Sequence, residues 1–197
     1  MIKDTKERVE RLKRQLVLQS KSLDEIEQLA HNRDKQLAAI PAIKPVSEDK
    51  LKRNIHHLSG FGYRMHPIYK RRKFHAGLDF TSPKGTPIQA TGDGKVILVR
   101  RSATGYGHHV KIDHGYGYVT LYAHMSKIDV KKGDKVNRGQ KIGEVGSTGT
   151  STAPHLHYEV IYKNKKVNPI HYCMDGLTPD EYKQLADMAS VANQSFD

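Results

Sequence analysis

The segment His155-Leu156-His157-Tyr158-Glu159-Val160-Ile161-Tyr162 (HLHYEVIY) decides the fold, because a short apolar run of this composition predicts a strand. Successive side chains on a strand point to opposite faces, so the imidazoles of His155 and His157 lie on the same face. Glu159 has the same parity and could orient one of these imidazoles from behind. An ordinary cross-strand ion pair is the alternative role for Glu159.

A histidine and an aspartate stand four residues apart in HAGLD, at His75 and Asp79. With one imidazole of the HxH pair they make three ligands of the kind that zinc takes in catalytic sites, where a fourth position is left for water. We therefore predict a groove that binds one Zn²⁺ ion. Zinc lowers the pKa of bound water to about 7, which provides a nucleophile at neutral pH.

Proton transfer at such a site needs a base, and the sequence has no HExxH motif to supply the usual glutamate. Histidine, with a reference pKa of about 6.5, is the side chain best suited to take a proton from water and to hold the developing oxyanion. His124 and the second imidazole of the HxH pair are the candidates. Arg64 could hold a substrate carboxylate through its guanidinium fork, with a structural salt bridge as the alternative.

The net charge of +12 in 197 residues would suit a nucleic-acid partner, but the charge distribution does not favour one. Residues 1–50 hold 11 basic and 9 acidic residues, so the remaining +10 lies on the part that carries the histidines. No RNA-binding signature, finger or recognition-helix motif is present. A basic surface around a metal site equally suits an acidic polymer as substrate, and we predict no nucleic-acid partner.

Four segments are predicted along the chain. Residues 1–40 form an amphipathic helix, since apolar residues recur every three or four positions from Val9 to Leu37; the helix could be a coiled coil or fold back on the domain. Gln19 and Arg33 are polar residues at two positions of this apolar repeat, and they weaken the case for a long autonomous coiled coil. Residues 41–54 form an extended linker, because their prolines disfavour a helix. Residues 55–172 form a catalytic domain. Residues 173–197 form a helical tail.

The central segment predicts a compact, mainly antiparallel β domain with a metal-binding groove, because short strand patterns alternate with glycine-rich turns. The predicted strands span residues 86–90, 94–101, 109–114, 118–124, 141–145 and 155–162. A short C-terminal helix follows, with Thr178 and Glu181 as a capping box. The single cysteine, Cys173, excludes an internal disulfide and is expected to act as a small, partly buried apolar residue.

The sequence resembles the lysostaphin and LytM-type zinc metalloendopeptidases over about Ile55 to Ile170. The motifs that carry the resemblance are GFGYRMHP, HAGLDF, GTPIQATGDGKV, YGHHVKIDHG, LYAHMS, KKGDKVNRGQKIGEVGSTGTSTAPHLHYEV and VNPI. One departure is His108, where many members of the family have asparagine. The resemblance implies cleavage of the peptide cross-links of bacterial peptidoglycan, whose peptide stems would be the substrate partner.

Carried over residue by residue, the family's motifs imply that His75, Asp79 and His157 bind zinc and that His124 and His155 are the catalytic histidines. The sequence shows no wall-binding module, and we therefore expect an envelope-resident enzyme that cleaves the D-alanyl to diaminopimelate bond rather than a pentaglycine bridge. It also shows no signal peptide or membrane span. A periplasmic location thus predicts an export segment or membrane anchor upstream of this chain, and the N-terminal helix could form a homodimer or bind an envelope partner.

Two other functions compete with the enzyme. A non-catalytic scaffold of the same fold could activate a cell-wall amidase through the N-terminal helix, although every expected metal position is filled. A lipoyl-like carrier module would explain the glycine-punctuated hairpins but not the histidines. Gly146 to Thr152 could be a mobile wall of the cleft. The other histidines are expected to have structural roles: His31, His56, His57, His66, His108, His109, His114 and His171.

Overall fold

The computed structural model describes residues 2–46, 58–65, 71–173 and 175–190. His56, His57, His66 and residues 47–54 of the predicted linker lie outside the described residues. The chain divides into two units, Met1–Leu37 and Ala38–Asp197.

Helix α1 begins at Ile2 and ends at Ala39, which confirms the predicted N-terminal helix; its residues up to Leu37 belong to the first unit. The large apolar side chains between Val9 and Leu37 are exposed, from 44% at Val9 to 68% at Val17 and Leu29. Within the described ranges, no helix combines the length and the apolar character needed to cross a bilayer.

The second unit is built from antiparallel strands, as the sequence predicts. The strands are β1 Leu58–Ser59, β2 Gly62–Met65, β3 Arg72–His75, β4 Leu78–Thr81, β5 Pro87–Gln89, β6 Gly94–Arg100, β7 His109–Gly115, β8 Tyr118–Ala123, β9 Lys127–Ile128, β10 Lys135–Val136, β11 Lys141–Glu144, β12 His155–Tyr162 and β13 Lys165–Val167. An eight-stranded sheet has the order β1-β4-β12-β8-β7-β6-β10, with β13 paired to β12. A three-stranded sheet has the order β5-β11-β9, and β2 pairs with β3.

The six predicted strands correspond to β5, β6, β7, β8, β11 and β12, each within one residue at either end. The strands that were not predicted are two to four residues long. Runs this short hold hardly more than one period of alternation, so their sequences carry little strand signal.

Strand β12 lies between β4 and β8, and its register brings distant residues together. His157 is paired directly with Asp79 on β4 and with Ala123 on β8. Direct antiparallel partners have Cβ atoms about 4.5–5.5 Å apart. The sheet itself therefore places a carboxylate and an imidazole that are far apart in sequence side by side.

The two faces of β12 have different neighbours. Leu156, Tyr158 and Val160 belong to the hydrophobic core, together with Leu78 and Phe80 of β4 and their neighbours. Burying each of these large side chains contributes about 1.5–3 kcal/mol. The residues of opposite parity, which include His155 and His157, lie on the other face of β12, where the site is formed.

The C-terminal segment packs on this domain. A 3₁₀ turn, Pro169–Tyr172, is followed by helix α2, Pro179–Ser190. The predicted capping box is present, because the Glu181 carboxylate accepts from the Thr178 amide at 2.9 Å and the Thr178 hydroxyl accepts from the Glu181 amide at 3.3 Å. Leu185 of α2 is buried in the core cluster.

The described part of the predicted linker contacts the β domain. Val46 bridges to Ile88 of β5, and the Ala42 amide donates to the Thr91 carbonyl at 3.1 Å. The boundaries of the four sequence segments remain a prediction.

Candidate active site

His75, Asp79 and His157 form a tight cluster at the end of β3, on β4 and on β12. His75 Nε2 lies 2.9 Å from Asp79 Oδ1 and 3.0 Å from His157 Nδ1, and His157 Nδ1 lies 2.8 Å from Asp79 Oδ1. All three side chains are buried. Burial alone would raise the pKa of Asp79, but the two imidazoles hold that pKa well below its usual value.

The second nitrogen of each imidazole faces an acceptor. His75 Nδ1 is 2.7 Å from the Gly60 carbonyl, and His157 Nε2 is 3.2 Å from Glu159 Oε1. A carbonyl or carboxylate oxygen can only accept, so these two nitrogens carry the hydrogen when the other nitrogen of each ring binds a metal ion. His75 Nε2 and His157 Nδ1, which face Asp79 Oδ1, are then the nitrogens that would offer their lone pairs to the ion.

This donor set fits zinc. Two neutral imidazole nitrogens and one carboxylate oxygen are three ligands of a type found in catalytic zinc sites. Ligands about 2.0–2.1 Å from a tetrahedral ion would be about 3.3–3.4 Å from one another. The observed separations of 2.8–3.0 Å differ from this by a few tenths of an ångström. These three residues could therefore hold the ion with small side-chain movements.

His124 and His155 form a second pair beside this cluster, with ring centroids 4.7 Å apart. His124 Nδ1 is 2.7 Å from the Thr148 carbonyl, and His155 Nδ1 is 2.8 Å from the Ala153 carbonyl. Since both acceptors are carbonyls, the hydrogen of each neutral ring lies on Nδ1 and the basic lone pair on Nε2. Both histidines thus have the same tautomer, with Nε2 as the nitrogen that can take a proton.

The backbone of His124 is unusual. Its φ of 59° lies in the left-handed region, which costs a non-glycine residue about 1–3 kcal/mol. The conformation is held from two loops, because the His124 amide donates to the Tyr106 carbonyl at 3.0 Å and its side chain meets Thr148. Such strain at a site is a reason to look for function there.

The loops of residues 104–108 and 146–151 are tied together. The Thr148 hydroxyl accepts from the His108 amide at 2.9 Å and donates to the Met125 carbonyl at 2.9 Å. The Thr150 amide donates to the Gly105 carbonyl at 2.9 Å. The loop that was considered as a mobile wall therefore has several hydrogen bonds to its neighbours.

Glu159 lies behind His157 and is 1% exposed. Its Oε1 accepts from the Tyr106 hydroxyl at 2.6 Å and from Lys166 Nζ at 2.9 Å. Burial would raise the pKa of Glu159, but His157, Tyr106 and Lys166 lower it to about 2. The carboxylate is therefore charged at any pH near neutrality.

A cleft of about 590 Å³ opens over the cluster. Its lining includes His75, His124 and His157 together with Arg64, whose Nη1 donates to the Ser59 hydroxyl at 2.6 Å. Thr150, from the segment that the sequence suggested as a wall of the cleft, also lines it. The lining residues that the sequence did not single out are Lys73, Phe74, Ala76, Thr104, Gly105, Tyr106 and Lys166.

The structure brings all seven predicted site residues close together. His75, Asp79 and His157 form the cluster, and His124 and His155 form the pair beside it. Arg64 lines the cleft, and Glu159 contacts His157. The supporting groups were missed. The Gly60, Thr148 and Ala153 carbonyls are backbone atoms and have no sequence signature. Tyr106 lies in a Gly-Tyr-Gly context that indicated only a turn, and Lys166 lies on a three-residue strand that was not predicted. His109 and His114 have structural contacts, to the Gly107 and Asp93 carbonyls. Cys173 is fully buried, and burial raises the pKa of its thiol to about 12.

Known proteins resemble this chain in sequence and in fold. Residues 73–169 match the model of peptidase family M23. The peptidoglycan DD-endopeptidase ShyA of Vibrio cholerae is 51% identical over 105 residues, which cover 53% of this chain and 24% of ShyA. A zinc-containing peptidase from Vibrio cholerae, known from its crystal structure, is 44% identical, with a TM-score of 0.56, and the match covers 63% of this chain and 37% of that one.

The catalytic domain of lysostaphin from Staphylococcus simulans is 36% identical, with a TM-score of 0.52, and the match covers 59% of this chain and 91% of that domain. The fold is that of a metallopeptidase domain, and the buried His/Asp/His cluster could hold a metal ion. The chain belongs to peptidase family M23. It spans only 24% to 30% of the length of the first curated relatives that it matches.

Proposed function

We propose that this protein is a zinc-dependent endopeptidase that hydrolyses the peptide cross-links of bacterial peptidoglycan, at the bond between D-alanine and diaminopimelate. The observation that carries the proposal is the cluster of His75 Nε2, Asp79 Oδ1 and His157 Nδ1, within 3.0 Å of one another at the base of a cleft. The name of the relative ShyA, a DD-endopeptidase, supports the same substrate.

His75, Asp79 and His157 would hold the ion. When bound, zinc acts as a Lewis acid and makes water nucleophilic near neutral pH. The chain's own contribution is to keep these three ligands buried and correctly oriented, with His75 fixed by the Gly60 carbonyl and His157 by Glu159. Such supporting contacts set the tautomer and the ring orientation of a ligand.

His124 and His155 are the catalytic histidines in this proposal. With Nδ1 held by the Thr148 and Ala153 carbonyls, each ring offers Nε2 for proton transfer. One neutral ring takes the proton of the attacking water at Nε2 and then passes it to the leaving amine. The other ring, protonated on both nitrogens, donates a hydrogen bond from Nε2 to the developing oxyanion. Such acid–base catalysis typically contributes a factor of about 10² to 10⁴.

The preferred bond follows from charge. Diaminopimelate carries a carboxylate on the carbon that bears the scissile nitrogen, whereas a pentaglycine bridge has no side-chain charge. Arg64, Lys73 and Lys166 line the cleft, and an arginine binds a carboxylate in a bidentate manner. We assign Arg64 to substrate binding. The basic cleft therefore favours the carboxylate-bearing cross-link.

The proposed substrate places the protein in the cell envelope, in the periplasm of a bacterium whose peptidoglycan contains diaminopimelate. A membrane tether, and pairing of α1 with a second copy or an envelope protein, are further parts of the proposal. The exposed apolar side chains of α1 support the pairing. Light scattering of the purified chain tests it, and a monomer at all concentrations would contradict a homodimer.

The activity is tested with purified muropeptide dimers. We expect the chain to convert dimers cross-linked through D-alanyl-diaminopimelate to monomers, to lose this activity with a chelator and to regain it with zinc. Pentaglycine-bridged dimers should remain intact. His157→Ala should be inactive and His171→Ala, on the exposed 3₁₀ turn, should be active. Release of glycine fragments alone, or hydrolysis unaffected by the chelator, would overturn the proposal.

A further inference from the structure

Three donors converge on a single buried oxygen, Glu159 Oε1. They are the Tyr106 hydroxyl at 2.6 Å, Lys166 Nζ at 2.9 Å and His157 Nε2 at 3.2 Å. The donors come from three parts of the chain: the loop after β6, strand β13 and strand β12. The carboxylate thus lies at the centre of a small network, which we call the Glu159 clamp.

A buried carboxylate is costly unless it is paired and hydrogen-bonded. Lys166 supplies the opposite charge, with 42% of its side chain exposed against 1% for Glu159, so its ammonium group reaches inwards from the surface. Tyr106 supplies a short neutral hydrogen bond. Burial and the neighbouring Glu159 charge raise the pKa of Tyr106 to about 12, so the phenol keeps its proton and remains a donor.

The clamp also determines which nitrogen of His157 carries hydrogen. A charged carboxylate that is held in place accepts a hydrogen bond from Nε2, so Nδ1 is the nitrogen left to offer its lone pair to a metal ion. Nδ1 lies 2.8 Å from Asp79 Oδ1, the oxygen that would bind the same ion. If Glu159 were free to turn, the ring could rotate or change tautomer, and Nδ1 would no longer be a reliable ligand.

We propose that Tyr106 and Lys166 are positioning residues for metal binding, which act through Glu159 to hold His157 in the tautomer and orientation that bind the ion. The inference deepens the proposed function, since it rests on a metal ion at His75, Asp79 and His157. It adds two residues that are not ligands and that lie in the lining of the cleft.

Tyr106 has a second contact that links the two histidine groups. Its carbonyl accepts from the His124 amide at 3.0 Å, while its ring lies 5.6 Å from the His157 ring between centroids. Lys166 Nζ also donates to the Tyr106 hydroxyl at 3.0 Å. One residue therefore contacts the backbone of a proposed catalytic histidine and the support of a proposed ligand.

The first test is Tyr106→Phe, which keeps the ring and removes only the hydroxyl. We expect zinc affinity, measured by competition with a chromophoric chelator, to fall about tenfold, within the 10- to 100-fold range typical of such supporting contacts. The visible spectrum of the cobalt-substituted protein should change as His157 shifts. Tyr116→Phe, at an exposed turn tyrosine, is the matched control and should alter neither measurement.

The second test asks whether the effect passes through Glu159. Glu159→Gln should itself weaken zinc binding, and Tyr106→Phe or Lys166→Met should then cause little further loss in that background, because residues of one network are not additive. Lys166→Met should weaken binding in the otherwise native chain, while Lys165→Met, the exposed neighbour on β13, should not.

Zinc affinity and cobalt spectra of Tyr106→Phe and Lys166→Met equal to those of the native chain would overturn the inference. Full additivity with Glu159→Gln would overturn the route through that carboxylate. Neither measurement needs peptidoglycan. If the variants lose zinc affinity as expected but the native chain leaves muropeptides intact, the proposed substrate is refuted and this inference stands. If the native chain cleaves muropeptides but the variants keep their zinc affinity, the proposed substrate stands and this inference is refuted.

Discussion

The floor and the walls of the cleft are held in different ways. The floor, defined as Asp79, His157 and Glu159, lies on β4 and β12, whose register is fixed by a continuous backbone ladder. The walls, defined as the loops of residues 104–108 and 146–151, are held by hydrogen bonds between the two loops, from the His108 amide to the Thr148 hydroxyl and from the Thr150 amide to the Gly105 carbonyl. His124 lies between the two, directly after β8, in a left-handed conformation.

This difference assigns separate tasks to the two regions. The placement of the metal ligands on the floor depends on strand pairing. Proton transfer depends on the walls, since the Thr148 carbonyl fixes the ring of His124. We therefore expect changes in the floor to abolish metal binding. Changes in the walls, apart from Tyr106 with its contact to Glu159, should impair activity or stability while the metal remains bound.

The largest effect is expected from Asp79→Asn, which keeps the shape of the side chain but removes the charge. A neutral amide is a poor zinc ligand, so stoichiometric zinc binding and hydrolysis should both fall to background. Zinc content by atomic absorption and muropeptide digestion measure the two. Asp187→Asn, on the exposed face of α2, controls for loss of one negative charge. Retention of both zinc and activity in Asp79→Asn would show that the floor does not bind the ion.

The next effect separates the histidine pair from the cluster. His124→Ala and His155→Ala should each lower kcat by about 10² to 10⁴, because acid–base catalysis is lost. Zinc should remain bound at one equivalent, since neither ring belongs to the cluster. Parallel kinetics and zinc analysis distinguish this outcome from loss of the ion. If either variant lost zinc, the division between the two regions would fail.

The walls are tested by a pair of glycines with nearly the same backbone. Gly105 and Gly107 have φ of 57° and 59°, but an added Cβ would meet nothing at Gly105 and would overlap the Thr148 backbone at Gly107. Gly105→Ala should cost about 1–2 kcal/mol for the left-handed conformation alone. Gly107→Ala should cost more, because the two loops must separate.

Urea unfolding and kcat measure this comparison. Gly107→Ala should lose activity through displacement of Thr148 and His124, with zinc still bound. Equal stability and equal activity of the two variants would mean that contact between the loops contributes nothing to the walls.

The contrast between floor and walls also explains what the sequence could predict. Strand parity is a local property, so HLHYEVIY alone placed His155 and His157 on one face, apart from the core side chains of Leu156 and Tyr158. The histidine and aspartate of HAGLD are likewise close in sequence. The pairing of Asp79 with His157 lay beyond local pattern, because β4 is only four residues long.

The supporting groups could not be predicted for a related reason. Tyr106 meets Glu159 across 53 positions of sequence, and only the folded loops bring them together. Its glycine neighbours carried a turn signal that concealed the side chain's contact with the site. The Gly60 carbonyl, which fixes His75, is an atom that every residue type would offer.

The smallest effect concerns a histidine outside both regions. His114 is buried, with Nδ1 2.8 Å from the Asp93 carbonyl and Nε2 2.7 Å from the Thr120 hydroxyl. Burial lowers the pKa of His114 below 6.5, although the Asp93 carbonyl and the Asp113 charge oppose this shift. The unfolded chain therefore takes up the proton first as the pH falls. His114 should leave stability unchanged above about pH 6.5 and reduce it progressively below that pH.

Urea unfolding at several pH values tests this link between the ionisation of His114 and the stability of the fold. Urea midpoints of the metal-free native chain and of His114→Gln should be compared between pH 7.5 and 5.5, in chelator so that proton release on metal binding does not contribute. The ligand and catalytic histidines are common to both chains and cancel in the difference. The native chain should lose more stability over this range than the variant, because only its position 114 can charge. Equal slopes would mean that the charged imidazole of His114 is accommodated in the folded core.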